Sequence, residues 1–240
     1  MMRLLLGAVQ FLTVIPVPGS TAPAWRAAAL FPLVGGLIGA LGAGLWLLAG
    51  ALPVSLRALL VVLFWIWITG SLHEDGLADV ADACRAGRSR EQMLRIMKDS
   101  RVGVYGVVAV VASVLLRWQA LAAITVAAVP SLIAVMAISR ASIALLARIA
   151  KPAGEGSGAA FCANVSGAVT LIAVAQAAAV AAWSGLALGA ALVGLAALVV
   201  VATRFYFHRR LGGVTGDCLG AAAQAVEIAL LLLLACPISW

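Results

Sequence analysis

Leu186-Ala-Leu-Gly-Ala-Ala-Leu-Val-Gly-Leu-Ala-Ala-Leu-Val-Val-Val-Ala-Thr203 is a run of eighteen residues without a charge. A helix needs roughly 20 mostly apolar residues to cross a hydrocarbon core, so this stretch reads as a membrane span. Working outward, comparable runs occupy residues 28–52, 56–72, 102–116, 120–138, 168–183 and 219–237. The pattern predicts an all-α fold: a polytopic integral membrane helical bundle of about seven transmembrane helices. The connection before Leu186 is only Ser184-Gly185, which makes that hairpin very tight. Of the 240 residues 65% are hydrophobic, against about half in a soluble domain. The surplus calls for lipid rather than a larger core, and one membrane domain over residues 1–240 is expected, with no soluble domain.

The N-terminus superficially resembles a signal peptide: Arg3, an apolar stretch to Leu12, then Ala22-Pro23-Ala24. Pro16 and Pro18 interrupt that pattern. The expectation is a retained, membrane-associated N-terminal segment. The four cysteines, Cys84, Cys162, Cys218 and Cys236, form no C-x-x-C pair, so neither a zinc site nor a disulfide framework is indicated.

Three polar segments separate the spans. Residues 73–101 hold Arg85, Arg88, Arg90, Arg95, Lys98 and Arg101; residues 139–166 hold Arg140, Arg148 and Lys151; residues 204–217 hold Arg204, Arg209 and Arg210. With seven spans all three fall on one side, and the opposite loops carry only Arg57 and Arg117. Excess Lys and Arg mark cytoplasmic loops, so these segments are expected to face the cytoplasm. The formal net charge of +7 is largely this bias and does not imply nucleic acid; part of it suits an anionic substrate.

Six of the nine acidic residues crowd into the first polar segment: Glu74, Asp75, Asp79, Asp82, Glu91 and Asp99. On a helix, Asp75, Asp79 and Asp82 fall within roughly 60° of one another. Like charges so spaced repel, and carboxylate oxygens suit a hard cation such as Mg²⁺. If the second span continues beyond the membrane, its end presents a metal face. The plainer reading is a solvated acidic face balanced by nearby arginines. Ser89-Arg-Glu-Gln92 has the form of a capping box, and the short helix after it is expected to return Asp99 to the acidic face. Lys98 and Arg101 would then flank it as phosphate ligands; interfacial snorkelling is the alternative.

Gly212-Gly-Val-Thr215-Gly-Asp217 opens the last span. Such a turn can offer backbone N–H groups to phosphate, or simply allow close helix packing. Asp217 is a candidate for a metal shell or a sugar hydroxyl. Glu227 lies deeper and must face protein or a cavity. His73, at the membrane edge, is a candidate general base, although a regular helix points it away from the aspartates.

These residues together resemble the adenosylcobinamide-GDP ribazoletransferase family, also called cobalamin-5′-phosphate synthase. The resemblance lies in Thr69-Gly-Ser-Leu-His73-Glu-Asp-Gly-Leu-Ala-Asp79-Val-Ala-Asp82, in Ile96-Met-Lys-Asp99-Ser-Arg-Val-Gly103 and in Leu211-Gly-Gly-Val-Thr-Gly-Asp217-Cys-Leu-Gly220. Gln10-Phe-Leu-Thr-Val-Ile-Pro-Val-Pro18 and Phe31-Pro-Leu-Val-Gly-Gly36 add to it, so it runs from end to end. Val14 stands where a basic residue is common, and Ala83-Cys84 where glycine is frequent. The resemblance implies transfer of α-ribazole, or its 5′-phosphate, to adenosylcobinamide-GDP with release of GMP. It further implies Mg²⁺ and an active site on the cytoplasmic side of a bacterial-type inner membrane. On this reading Asp75, Asp79, Asp82 and Asp99 are the metal set, Asp79 and His73 the catalytic pair, and Glu74, Lys98, Arg101, Thr215 and Asp217 the substrate-binding residues. The lipid bilayer is the expected partner, and self-association stays open. Two other readings stand beside it: a CDP-alcohol phosphotransferase-type enzyme and a small-molecule transporter. Acids gathered at one membrane edge argue against the transporter, whose sites sit near the midplane.

Overall fold

The computed structural model describes residues 1–19 and 21–237. In chain order its α-helices are α1 (Met2–Leu12), α2 (Ala24–Ala27), α3 (Phe31–Leu48), α4 (Val54–Ile68), α5 (Leu72–Ala83), α6 (Arg90–Ile96), α7 (Val104–Ala123), α8 (Leu132–Ile149), α9 (Ser157–Asn164), α10 (Gly167–Trp183), α11 (Leu186–Leu211) and α12 (Gly216–Ala235). Among the described residues five helices are long and apolar enough to cross a membrane: Ala24–Leu48, Val104–Ala123, Val129–Ile149, Leu186–Leu211 and Gly216–Ala235. Two broken pairs, α4 with α5 and α9 with α10, raise the number to seven if each pair is one span. The molecule is thus the expected polytopic helical bundle, with five such helices and two sharply bent pairs among the described residues.

Helix α8 is the central post, packed by α3, α10, α11 and α12. Lipid supplies no hydrophobic drive for helices to associate, so close backbone packing has to do so. Gly35 and Gly39 of α3 make this possible. A Cβ on either would lie 2.5 Å from a carbonyl oxygen of α8, that of Met136 or of Leu132.

The second span does not continue straight. Helix α4 has 15 residues, about 22 Å of rise. Gly70 (φ 60°) and Ser71 (φ 59°) then adopt consecutive left-handed conformations that stop the helix, and the chain turns by 87° into α5. Helix α5 is therefore not an extension of the span; it wedges between α7 and α12. A second turn, of 90°, separates α9 from α10, where the Ser166 hydroxyl accepts the Val169 N–H at 3.3 Å.

Two arginines were assigned by sequence to loops, and the structure corrects both. Helix α7 passes through Arg117 to Ala123, and α8 runs through Arg140, leaving both side chains buried between helices. Glu227 of α12 accounts for them. Its carboxylate meets Arg117 at 3.2 Å and Arg140 at 2.5 Å, while Arg117 also meets Glu74 at 2.9 Å. Two cations and two anions close a neutral network inside the bundle, the condition for burying charge in lipid. With its amide turned to face these donors, Gln224 accepts from Arg117 Nε and Nη1, each at 3.0 Å.

At 11 residues, α1 is too short to span. It packs against α2 and α3. Just beyond it the Val14 N–H donates to the Ile68 carbonyl at 2.9 Å, tying the N-terminal segment to the break in α4. All four cysteines are free.

Candidate active site

Helix α5 crosses the start of α12 at Gly76, where a Cβ would lie 2.7 Å from the Asp217 carbonyl oxygen. This approach adds a fourth carboxylate to the acidic face, and Asp75, Asp82 and Asp217 all act electrostatically on Asp79. Asp75 is exposed; Asp79, Asp82 and Asp217 are half-buried. The members have different duties. Asp82 accepts the Gly103 N–H at 2.7 Å, placing a negative charge at the positive end of α7. Gly103 permits this, since a Cβ there would come within 2.4 Å of Asp82 Oδ1. Among the described residues Asp75, Asp79 and Asp217 are left without a cationic partner.

The capping box forms as expected: the Ser89 hydroxyl accepts from Gln92 N at 3.3 Å, and the Gln92 side chain accepts from Ser89 N at 2.9 Å. The chain after α6 departs from expectation. Asp99 turns outward and pairs with Arg101 at 2.7 Å, the arginine side chain being 87% exposed. This partner holds the Asp99 carboxyl down to about 2. Only Lys98 of Lys98-Asp-Ser-Arg101 faces the site, because α6 ends at Ile96 and the irregular chain that follows sends its side chains in different directions. Glu74, expected to bind substrate, is buried one position round α5 from Asp75 and points at Arg117.

Two cavities meet at this edge. The polar one, about 560 Å³, lies between α6, the loop before α9 and the start of α12; Lys98, Arg95, Gly156, Ser157, Thr215 and Asp217 are among its lining. Its wall is built by a short parallel pairing in which Val214 N donates to Lys151 O at 2.9 Å and Ala153 N to Val214 O at 2.8 Å. The pairing carries Gly158 onto Gly216, where a Cβ on Gly158 would sit 2.3 Å from the Gly216 nitrogen. The first turn of α12 borders the cavity through Thr215, Gly216 and Asp217, and a helix N-terminus is a setting suited to phosphate. The Thr215 hydroxyl caps this turn, accepting from Cys218 N at 3.3 Å, and lies 3.3 Å from Asp217 Oδ2.

The second cavity, about 300 Å³, lies on the other side of the Gly158–Gly216 crossing, lined by Phe11, Trp25, Phe161, His73, Asp75 and Asp217 among others. Ser157 and Asp217 border both cavities. His73 is 2% exposed, and neither ring nitrogen has a hydrogen-bond partner. Helix α5 stays regular through Gly76, so no unwinding is needed to bring His73 to a substrate cavity; the crossing with α12 does it. The part played by residues 153–158, by Phe11 and by Trp25 was missed from sequence. Only the glycine density of that loop hinted at it.

No three His, Cys, Asp or Glu side chains among the described residues already converge as a closed cation shell. Mg²⁺ does not need one, since it commonly binds one or two carboxylates, several waters and phosphate oxygens. Asp75, Asp79 and Asp217 have no cationic partner among the described residues, and one or two of them would suffice as the protein ligands of such an ion.

Comparison with known proteins points to one family. The cobalamin-5-phosphate synthase family model matches residues 4–235. A relative from Geotalea daltonii, described as adenosylcobinamide-GDP ribazoletransferase, is 40% identical over 98% of this chain and 97% of its own. Relatives of the same description from Ralstonia nicotianae (38% identical, 95% and 92% covered) and Bradyrhizobium diazoefficiens (40%, 95% and 91%) match as completely. No solved structure matches the chain. With a family model covering nearly all of it and relatives aligned end to end, the chain belongs to the cobalamin-5-phosphate synthase family.

Proposed function

We propose that this protein joins α-ribazole, or its 5′-phosphate, to adenosylcobinamide-GDP and releases GMP, at the cytoplasmic face of a bacterial inner membrane. The observation that carries this reading is Asp217, which borders both a phosphate-suited cavity and an aromatic one and closes an acidic edge with Asp75. Family membership favours it over a CDP-alcohol phosphotransferase, and the gathering of carboxylates at one edge favours it over a transporter.

In this reading Lys98, the first-turn N–H groups of α12 and Thr215 hold the pyrophosphate. Asp75, Asp79 and Asp217 are the carboxylates from which Mg²⁺ would draw its one or two protein ligands, and such an ion would neutralise phosphate-oxygen charge. The acceptor ribose hydroxyl forms the new O–P bond at the phosphorus that carries the cobinamide arm. The bridging P–O bond to GMP breaks, and GMP leaves with the electron pair. The hydroxyl proton passes to a carboxylate of the Asp75–Asp217 pair. Asp82 keeps α7 in place, and Glu74 belongs to the buried network.

Orientation rests on the remaining Lys and Arg. With Arg117 and Arg140 removed from the tally, Arg90 and Arg95 on α6 and Arg85, Arg88, Lys98 and Lys151 on the adjoining loops still gather at the site. The test is incubation of the purified protein with adenosylcobinamide-GDP and either acceptor, followed by mass spectrometry. Equimolar GMP and cobalamin product are expected; release of GMP without coupling would contradict transfer.

A further inference from the structure

The aromatic cavity has a shape and lining that the phosphate chemistry does not explain. Six helices converge on it: α1 through Phe11, α2 through Trp25, α5 through His73 and Asp75, α8 through Ile143, α9 through Phe161, and α12 through Asp217. Phe11, Phe31 and Phe161 stack nearly parallel, with ring centroids 5.1 and 6.1 Å apart. Stacked rings beside an indole make a surface for another flat ring. At about 300 Å³ the cavity is at the small end for ligand sites and cannot take a corrinoid. It adjoins Asp217, where the polar cavity begins. His73 is part of its wall, its two ring nitrogens buried and without a hydrogen-bond partner among the described residues, an arrangement costly for a buried polar group unless something else satisfies it.

Resting on the function proposed above, we propose that this cavity is the acceptor subsite. It takes the planar, fused-ring heterocycle of the ribazole nucleoside and directs the ribose towards Asp75 and Asp217. The aromatic side chains stack on the base, and a turn of the His73 side chain, whose ring nitrogens are buried here, lets a ring N–H donate to its unsubstituted ring nitrogen. His73 is then a specificity residue for the acceptor rather than the general base. The N-terminal segment becomes part of the active site despite Val14, because Phe11 and Trp25 form one wall.

The experiment measures KM for each substrate separately with purified protein in lipid nanodiscs. Trp25→Ala and Phe161→Ala should each raise KM for α-ribazole about tenfold, from lost base stacking, and change KM for adenosylcobinamide-GDP less than twofold. The His73 contact is read by pairing His73→Phe with an acceptor whose base is indole, lacking the ring nitrogen. Wild type should discriminate against the indole riboside about tenfold, His73→Phe should not, and His73→Gln, which retains a donor, should restore part of the discrimination. A pH–rate profile unchanged in His73→Gln supports recognition over proton transfer. The proposal fails if KM for the donor rises as much as that for the acceptor, or if discrimination against the indole riboside survives in His73→Phe. Because turnover is measured in the same assay, absence of transfer by the wild type would instead refute the functional reading and is distinct from misplacement of the acceptor.

Discussion

Replacing Glu227 by Gln removes one negative charge from the buried network while keeping the shape of the side chain. The effect can be worked from the structure. Arg117 keeps Glu74 at 2.9 Å, but Arg140 loses its carboxylate at 2.5 Å and retains the Ser139 hydroxyl at 3.0 Å. The buried network passes from neutral to a net charge of +1 around side chains that are almost wholly shielded from solvent. Breaking a buried pair by removing one partner costs about 3–5 kcal/mol. Unfolding in mixed micelles of a mild detergent with rising dodecyl sulfate should show a loss of that order. In the Glu227→Gln background, Arg140→Met should recover most of it, because it removes the stranded charge; the cycle isolates the coupling. A Glu227→Gln protein within about 1 kcal/mol of the parent, where ordinary surface changes lie, would refute the account of Arg117 and Arg140 as interior cations.

Gly158→Ala should reduce turnover at least about tenfold, since a 1 Å displacement at a reacting centre can cost more than that; its Cβ would meet the backbone of Gly216 at 2.3 Å, and steady-state kinetics on folded protein checks it. Lys98→Ala should raise KM for adenosylcobinamide-GDP several-fold, whereas Arg101→Ala, at an exposed ion pair worth little, should leave kcat and KM within about twofold. Engineered cysteines at Gly87 and Gly156, both exposed positions on the side of the site, should resist an impermeant maleimide in intact cells and react after lysis; labelling in intact cells would reverse the orientation.

Much of the molecule was legible in sequence because hydropathy reports lipid contact directly: uncharged runs such as Leu186–Thr203 fell within observed helices. The misreadings share one cause. Arg117 and Arg140 looked like span ends because a linear reading cannot see that Glu227, 110 and 87 residues away, neutralises them. The spacing of Asp75, Asp79 and Asp82 placed them correctly on one helix, but not the bend at Gly70 and Ser71 that lays that helix across α12. Lys98, Asp99 and Arg101 read as one cluster by proximity in sequence, yet the end of α6 separates their directions. The aromatic cavity has no local signature, since Phe11, Trp25 and Phe161 meet only after α1, α2 and α9 pack together.

The claim at the centre is that the α5–α12 carboxylates carry metal-dependent transfer. Its most direct measurement is single-turnover GMP release from adenosylcobinamide-GDP with saturating α-ribazole, across a Mg²⁺ titration, for the parent, Asp75→Asn and Asp79→Asn. The account predicts release that depends on Mg²⁺ in the parent, abolished by chelation. Each substitution should lower the rate at least about a hundredfold, the low end for a group stabilising transition-state charge, and move the Mg²⁺ midpoint upward while the protein stays folded. Parent-like rates and midpoints in both variants, or release indifferent to chelation, would contradict it.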